Sequence, residues 1–179
     1  VLVAADDPGL YSSQNEQDSR HYAMASKVPM LEPADSMEAY TFAKNAFELS
    51  EKFDTPVLLR MCTRIAHSQS IVETSEKVPA TLKDYEKNPS KYIMAPANAI
   101  KRHPFVEERT LKLQEFAENC EYNTVEMNSD EIGIITSGCS YQYVKEVMGD
   151  SASVLKIGMS YPLPVKLIKD FASKVKTLY

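Results

Sequence analysis

Two stretches of this chain hold residue types that could do chemistry. The first is Ser12 to Arg20, SSQNEQDSR, nine residues of which none is apolar, close behind the apolar run that opens the chain. Gln14, Asn15 and Gln17 offer both donors and acceptors, Glu16 and Asp18 accept, and the Arg20 guanidinium can fork onto a carboxylate. By composition such a segment is a solvated surface loop. Its place in the chain gives a second reading, because a polar segment leaving the carboxyl end of a parallel strand stands where open α/β sheets put their ligands. The second stretch is RMCTRIAHS, in which Arg60, Arg64 and His67 follow a buried-looking strand and could face a ligand or tie two domains together.

Other candidates weigh less. In EIGIITSGCSYQYVKEVM a strand enters a helix through Gly138, which aims backbone N–H groups outward at a positive helix end. One glycine stands where a dinucleotide fingerprint needs three, and no P-loop lysine follows, so a plain strand-to-helix turn is the stronger reading. Gly149-Asp150-Ser151 is close to the Gly-Asp-Gly that begins a diphosphate and magnesium motif, but no asparagine follows it downstream, which discards it. His21, His67 and His103 lie in separate segments and no second histidine or cysteine stands at i, i+4 from any of them, so no metal site is expected. Cys62, Cys120 and Cys139 are far apart and form no CxxC pair. Nothing marks them as activated nucleophiles, and they read as mostly buried free thiols.

The elements that must position these residues follow from length and periodicity. A chain of 179 residues fits one domain or two small ones, at roughly 150 residues per domain. Its 44% hydrophobic and 25% charged content is ordinary for a soluble globular protein. No stretch is apolar for the length of a bilayer span and no signal segment opens the chain, which predicts a cytoplasmic protein without a membrane partner. A net charge of -5 argues against a nucleic-acid partner, and Lys101-Arg102-His103 is too short to reverse that. The chain opens at Val1 inside an apolar run and closes where Thr177, Leu178 and Tyr179 read as a strand just starting, so it is expected to be a piece excised from a longer polypeptide.

Val1 to Ala5 suits a strand covered on both faces of a parallel sheet. Residues 19 to 26 read as helix and 28 to 31 as a short strand. Asp35 or Ser36 caps a long helix, with Glu38 completing a capping box and Ala39, Phe42, Ala43, Ala46, Leu49 and Phe53 as its apolar stripe. PVLLRMCT is the next strand. This order is that of parallel βαβ units and predicts an α/β fold. From Thr63 to Pro104 repeated prolines mark a long connection with a hairpin or short strand at Ser70 to Val72, and a helix resumes at Pro104 and runs to Cys120. NTVEM, EIGIITSG and SVLKIGM are strands of a second α/β half, closed by a helix carrying Val165, Ile168, Phe171, Ala172 and Val175.

ADDPGLYSSQNEQDSRHYA (Ala5 to Ala23) and PVLLRMCTRIAHS (Pro56 to Ser68) together resemble the alpha subunit of the indolepyruvate ferredoxin oxidoreductase family, thiamine-diphosphate-dependent 2-oxoacid:ferredoxin oxidoreductases of anaerobes. FELSEKFDTPVLLR and IGIITSGCSYQYVKE also fit the family's pattern. The resemblance implies that residues 1–68 are the last part of a thiamine-diphosphate pyrimidine-binding domain, 69–122 a linker and connecting helix, and 123–179 the first part of a transketolase C-terminal-like domain. It implies oxidative decarboxylation of an aryl pyruvate with coenzyme A, electrons passing over 4Fe–4S clusters to ferredoxin, with thiamine diphosphate and Mg2+ as cofactors and a beta subunit as partner. The family's cofactor-activating glutamate, its diphosphate motif and its clustered cysteines have no counterpart in this sequence, so the piece alone is expected to be inactive and to hold none of these groups fully.

The same resemblance makes Ser12, Ser13, Gln14, Glu16, Gln17, Asp18 and Arg20 the expected wall of a cofactor and substrate cleft or of a subunit interface, with Arg20 a partner for an acidic group. Arg64 and His67 are expected to be structural at the domain junction. Truncated sheets expose apolar faces and strand edges, which predicts self-association. Two rivals remain open: an oxidoreductase for pyruvate or another 2-oxoacid, and a non-catalytic α/β module that binds a protein.

Overall fold

In the computed structural model, which describes residues 1–10, 14–77, 79 and 84–179, the strands gather into two sheets of four. The order along the chain is β1 (Leu2–Asp6), α1 (Arg20–Ser26), β2 (Met30–Leu31), α2 (Ser36–Phe53), β3 (Leu58–Cys62), α3 (Thr63–His67), α4 (Pro89–Tyr92), α5 (Pro96–Ala117), β4 (Asn123–Glu126), β5 (Ile132–Ser137), α6 (Ser140–Met148), β6 (Ser153–Ile157), β7 (Met159–Tyr161), α7 (Val165–Ala172) and β8 (Thr177–Leu178). The α/β class expected from periodicity is what forms.

The first sheet runs β1-β3-β2-β7 and the second β4-β6-β5-β8. Pairing is parallel between β1 and β3, β2 and β3, β5 and β6, and β5 and β8. It is antiparallel where β7 joins β2 and β4 joins β6, so each sheet is mixed rather than wholly parallel. The chain crosses from one sheet to the other at Gly158, between β6 and β7. A Cβ on Gly158 would stand 2.3 Å from the Tyr122 carbonyl oxygen, and its N–H donates to that oxygen at 3.1 Å, so only glycine allows this approach.

The larger core lies between the first sheet, α2 and α5: Leu31, Phe42, Ala46, Leu49, Leu59, Leu113, Ala117, Tyr122 and Met159 pack together. The α2 stripe supplies Phe42, Ala46 and Leu49 at helical spacing, and Phe42 meets Tyr122 edge-on with ring centres 5.0 Å apart. A smaller core joins Leu155, Ile157 and Phe171 between the second sheet and α7. The predicted cap of α2 also forms. Asp35 accepts from the Glu38 N–H at 2.8 Å, while the Glu38 carboxylate reaches back to the Ala34 N–H at 2.8 Å, one residue short of a standard capping box.

Three local expectations need correction. The strand expected at Val1 to Ala5 forms as Leu2–Asp6, but at an edge and uncovered: Leu2 is 58% and Val3 61% exposed, because β1 pairs only on its β3 side. Ser70 to Val72 forms no strand. The long helix begins at Pro96, not Pro104, with Pro96 in its first turn and Pro104 inside it. Proline suits the first turn, where its missing N–H costs nothing. Inside the helix Pro104 forgoes the bond to the Ile100 carbonyl, and since Ile100 is 75% exposed, water can take that carbonyl.

Candidate functional site

The carboxyl ends of β1, β2 and β3 meet the β5–α6 turn, and a group of charged side chains is buried there. Its origin is register. Leu31 pairs with Leu59, so the next residue along each strand brings Glu32 beside Arg60. Ala4 pairs with Arg60 and Asp6 with Cys62, so Asp6 lies diagonally from Arg60 on the same face. Arg60 Nε donates to Asp6 at 2.5 Å and Nη1 to Glu32 at 2.8 Å. Asp6 and Glu32 are each 2% exposed and Arg60 8%.

The polar segment completes this network. The Ser19 N–H donates to Asp6 at 2.7 Å and its hydroxyl at 2.6 Å, which ties the start of α1 to the end of β1. Arg20, the first residue of α1, forks onto Glu32 with Nε at 2.8 Å and Nη2 at 2.9 Å. Its remaining nitrogen, Nη1, stands 3.5 Å from Asp18. Burial pushes the Asp6 carboxyl up, but the Ser19 donors and Arg60 outweigh it and hold the group below its ordinary range. Burial likewise acts against the Glu32 carboxylate and is overcome by Arg20 and Arg60, so it too lies low. Both remain anionic at neutral pH, as buried carboxylates do only when paired.

A cavity of about 160 Å³ opens beside this network, with Pro8, Arg20, Glu32, Arg60, Cys62 and the turn from Ser137 to Ser140 in its walls. One neighbour of about 260 Å³ adds Thr63 and Arg64 and shares Pro8, Cys62 and Cys139. Another of about 320 Å³ shares Arg20 and Ser137 and is lined by Met24, Met30, Ile135, Tyr161 and Leu163. A row of pockets thus runs between the two sheets with Arg20 on two of them. Gly138, at φ 53°, makes the turn, and a Cβ on it would sit 3.6 Å from the Glu32 carboxylate.

Of the residues singled out from the sequence, Arg20 lines these pockets and Asp18 is half-buried beside it. Gln14, Glu16 and Gln17 are exposed. Ser12 and Ser13 lie outside the described residues. The carboxylate onto which Arg20 forks is this chain's own Glu32. Arg64 stands over the Tyr143 ring at 5.5 Å and so bridges α3 to α6, while His67 is exposed. Sequence reasoning missed Asp6 and Glu32 as partners of Arg60; a charge inside the apolar run PVLLRMC was the available signal, since it must be paired to be buried there.

The cofactors implied by the resemblance meet a poor donor set in this cleft. Among the described residues no group of three or more His, Cys, Asp or Glu could hold a metal ion. Arg20 and Arg60 are bound to carboxylates, not presented as a diphosphate seat. The most weakly matched donor of the network is Arg20 Nη1, 3.5 Å from Asp18. Among the described residues no helix is long and apolar enough to cross a membrane.

No family model matches the chain. It is 40% identical over 98% of its length to indolepyruvate oxidoreductase subunit IorA of Archaeoglobus fulgidus, and 40% identical over 97% to that of Methanothermobacter marburgensis. The subunit from Thermococcus kodakarensis is 40% identical over 96% of the chain. The chain spans about 29% of the length of the Archaeoglobus and Methanothermobacter proteins. The fold is similar, with a TM-score of 0.62 at 18% identity, to a 2-oxoglutarate:ferredoxin oxidoreductase from Magnetococcus marinus solved with 2-oxoglutarate, coenzyme A and succinyl-CoA bound; 98% of this chain and 40% of that one are covered. The resemblance to the indolepyruvate oxidoreductase alpha subunits therefore runs along almost the whole chain.

Proposed function

From the similarity of this chain to a segment of the indolepyruvate oxidoreductase alpha subunits, we propose that it builds one wall of the active cleft of a 2-oxoacid:ferredoxin oxidoreductase whose substrate is an aryl pyruvate such as indolepyruvate. The observation that carries the reading is the 40% identity over 98% of the chain to a curated subunit of that name. In the whole enzyme coenzyme A, ferredoxin and a beta subunit are the partners, and thiamine diphosphate, when bound, supplies the carbanion chemistry of decarboxylation. Mg2+ and the iron–sulfur clusters are held by other parts of the polypeptide.

This chain's own residues bind and orient. Asp6 and Glu32 are balanced by Arg60 and Arg20 together, which fixes the strand ends and holds Arg20 by its fork onto Glu32. Its Nη1, only loosely matched to Asp18, is the donor left to meet a substrate carboxylate. Gln14, Glu16 and Gln17, all exposed, form the rim of the same wall or of the adjoining subunit contact. Arg64 and His67 have structural roles at the junction.

The test is kinetic, on the full-length enzyme with its beta subunit. Ferredoxin reduction is followed with indolepyruvate, phenylpyruvate, pyruvate, 2-oxoglutarate and a branched-chain oxoacid. The reading expects aryl pyruvates to have the highest kcat/KM. Arg20→Ala should raise KM for the oxoacid about tenfold to a hundredfold with a smaller change in kcat, the loss of one charge-assisted hydrogen bond. Preference for pyruvate would replace the substrate assignment, and unchanged kinetics in Arg20→Ala would remove the wall role.

A further inference from the structure

We propose that Cys62 and Cys139 form a redox modification site, a thiol pair that hydrogen peroxide converts to a disulfide across the cleft between the two sheets. Cys62 is the last residue of β3 in the first sheet, and Cys139 caps α6 behind β5 of the second. They are 77 residues apart in sequence, yet their sulfurs stand 3.3 Å from each other. Bringing them to the bond length of about 2.05 Å asks for little more than about 1 Å of motion, within reach of side-chain rotation and a small shift of the turn. Both are half-buried and both line the pockets of about 160 and 260 Å³, so a small oxidant can enter beside them. Cys120 is 7% exposed and packed in the larger core, which makes it an internal control.

The chemistry closes with the peroxide as the only co-reactant. A thiolate attacks a peroxide oxygen; the S–O bond forms, the O–O bond breaks, and the departing oxygen leaves as water after protonation. The second sulfur then attacks the sulfenic sulfur; the S–S bond forms, the S–O bond breaks, and a second water leaves. Two thiols have given up two electrons and two protons to the peroxide. Burial, and then the neighbouring Cys62, push the Cys139 thiol up to about 11; whichever sulfur takes the first oxygen, the other stands 3.3 Å away to resolve it.

The bridge would join the strand that carries Arg60 to the turn that carries Gly138, next to Glu32. It would therefore hold the candidate cleft at a fixed width and seal the passage that the two pockets share.

The test uses the complete protein, purified anaerobically and then titrated with hydrogen peroxide. Remaining thiols are alkylated, and the digest is read by mass spectrometry without and with dithiothreitol. The expected product is a Cys62–Cys139 linked peptide that dithiothreitol separates, with Cys120 recovered as alkylated thiol. In Cys139→Ser and in Cys62→Ser the remaining cysteine should be trapped by dimedone as a sulfenic acid, with no linked peptide. Closing so long a loop should also raise the melting temperature of the oxidised wild type, a shift absent from both variants. Sulfinic or sulfonic acid on either cysteine without a linked peptide, or a link that includes Cys120, overturns the proposal.

Discussion

Glu32 and Asp54 are each held between two cations, and the two sites put that arrangement to opposite uses. Glu32 is 2% exposed and takes Arg20 and Arg60, with Asp6 buried on the far side of Arg60. Asp54 is 44% exposed and takes Lys91 of α4 and Arg102 of α5, at 2.7 and 2.8 Å. Distances do not separate the two; solvent does. Buried charges must be matched completely, because removing one partner strands another in a medium that cannot solvate it. The exposed pair exchanges its bonds for water at little cost. The first cluster therefore fixes where β1, β2, β3 and α1 meet, while the second only pins helices against the end of α2.

The widest gap between the two sites should come from Arg60→Ala. It leaves Asp6 and Glu32 buried beside a void, and Arg20 can satisfy only one of them. A loss of about 3–5 kcal/mol is expected, read as a fall in the urea midpoint with an unchanged slope. If Arg60→Ala costs under about 1 kcal/mol, the buried network does not organise the strand ends and the comparison fails.

Acid sharpens the contrast. Asp6 and Glu32 both lie below their unfolded values in the folded chain. Groups shifted this way add stability that is complete above the unfolded values, near about 4, and is lost as pH falls through the folded ones. The urea midpoint should thus hold steady from about pH 7 to 5 and fall steeply below about pH 4. High salt should leave that fall in place, since the pair is shielded from ions by burial. A midpoint flat down to about pH 3 would show that the two carboxyls do not link protonation to unfolding.

How much of this could be read from the sequence depends on how local the cause is. The cap of α2 was legible because Asp35 and Glu38 lie three residues apart, and their side chains accept from backbone N–H groups within that same turn, Glu38's own and Ala34's. The α2 stripe was legible for the same reason. Val1 to Ala5 was legible as a strand but not as an edge, since covering depends on what pairs beside it. Pro104 misled because the helix tolerates it where the carbonyl it abandons faces water. Arg60 could be noticed as a charge in an apolar strand. Its partners could not, because Asp6 and Glu32 reach it only through the register of three strands. The meeting of Cys62 with Cys139, and the return of β7 to the first sheet, depend on how the two sheets stand together.

The smallest effect belongs to Asp54, and the choice of replacement decides whether it isolates charge. Asp54 ends α2 in the left-handed region at φ 50°, and its carbonyl accepts from Arg109 at 2.7 Å. Alanine would add backbone strain there, whereas asparagine tolerates that conformation and keeps the shape of the side chain. Asp54→Asn removes only the negative charge facing Lys91 and Arg102. The Asp54 carboxyl, pushed up by burial but pulled down further by Lys91 and Arg102, lies below its ordinary range. With the side chain this exposed, solvent screening reduces the net worth of the pairs to about 0.2–1 kcal/mol. That difference should vanish in about 1 M salt, where the screening length is about 3 Å, while the deficit of Arg60→Ala survives. Equal salt sensitivity in the two variants would mean that burial does not set the two clusters apart.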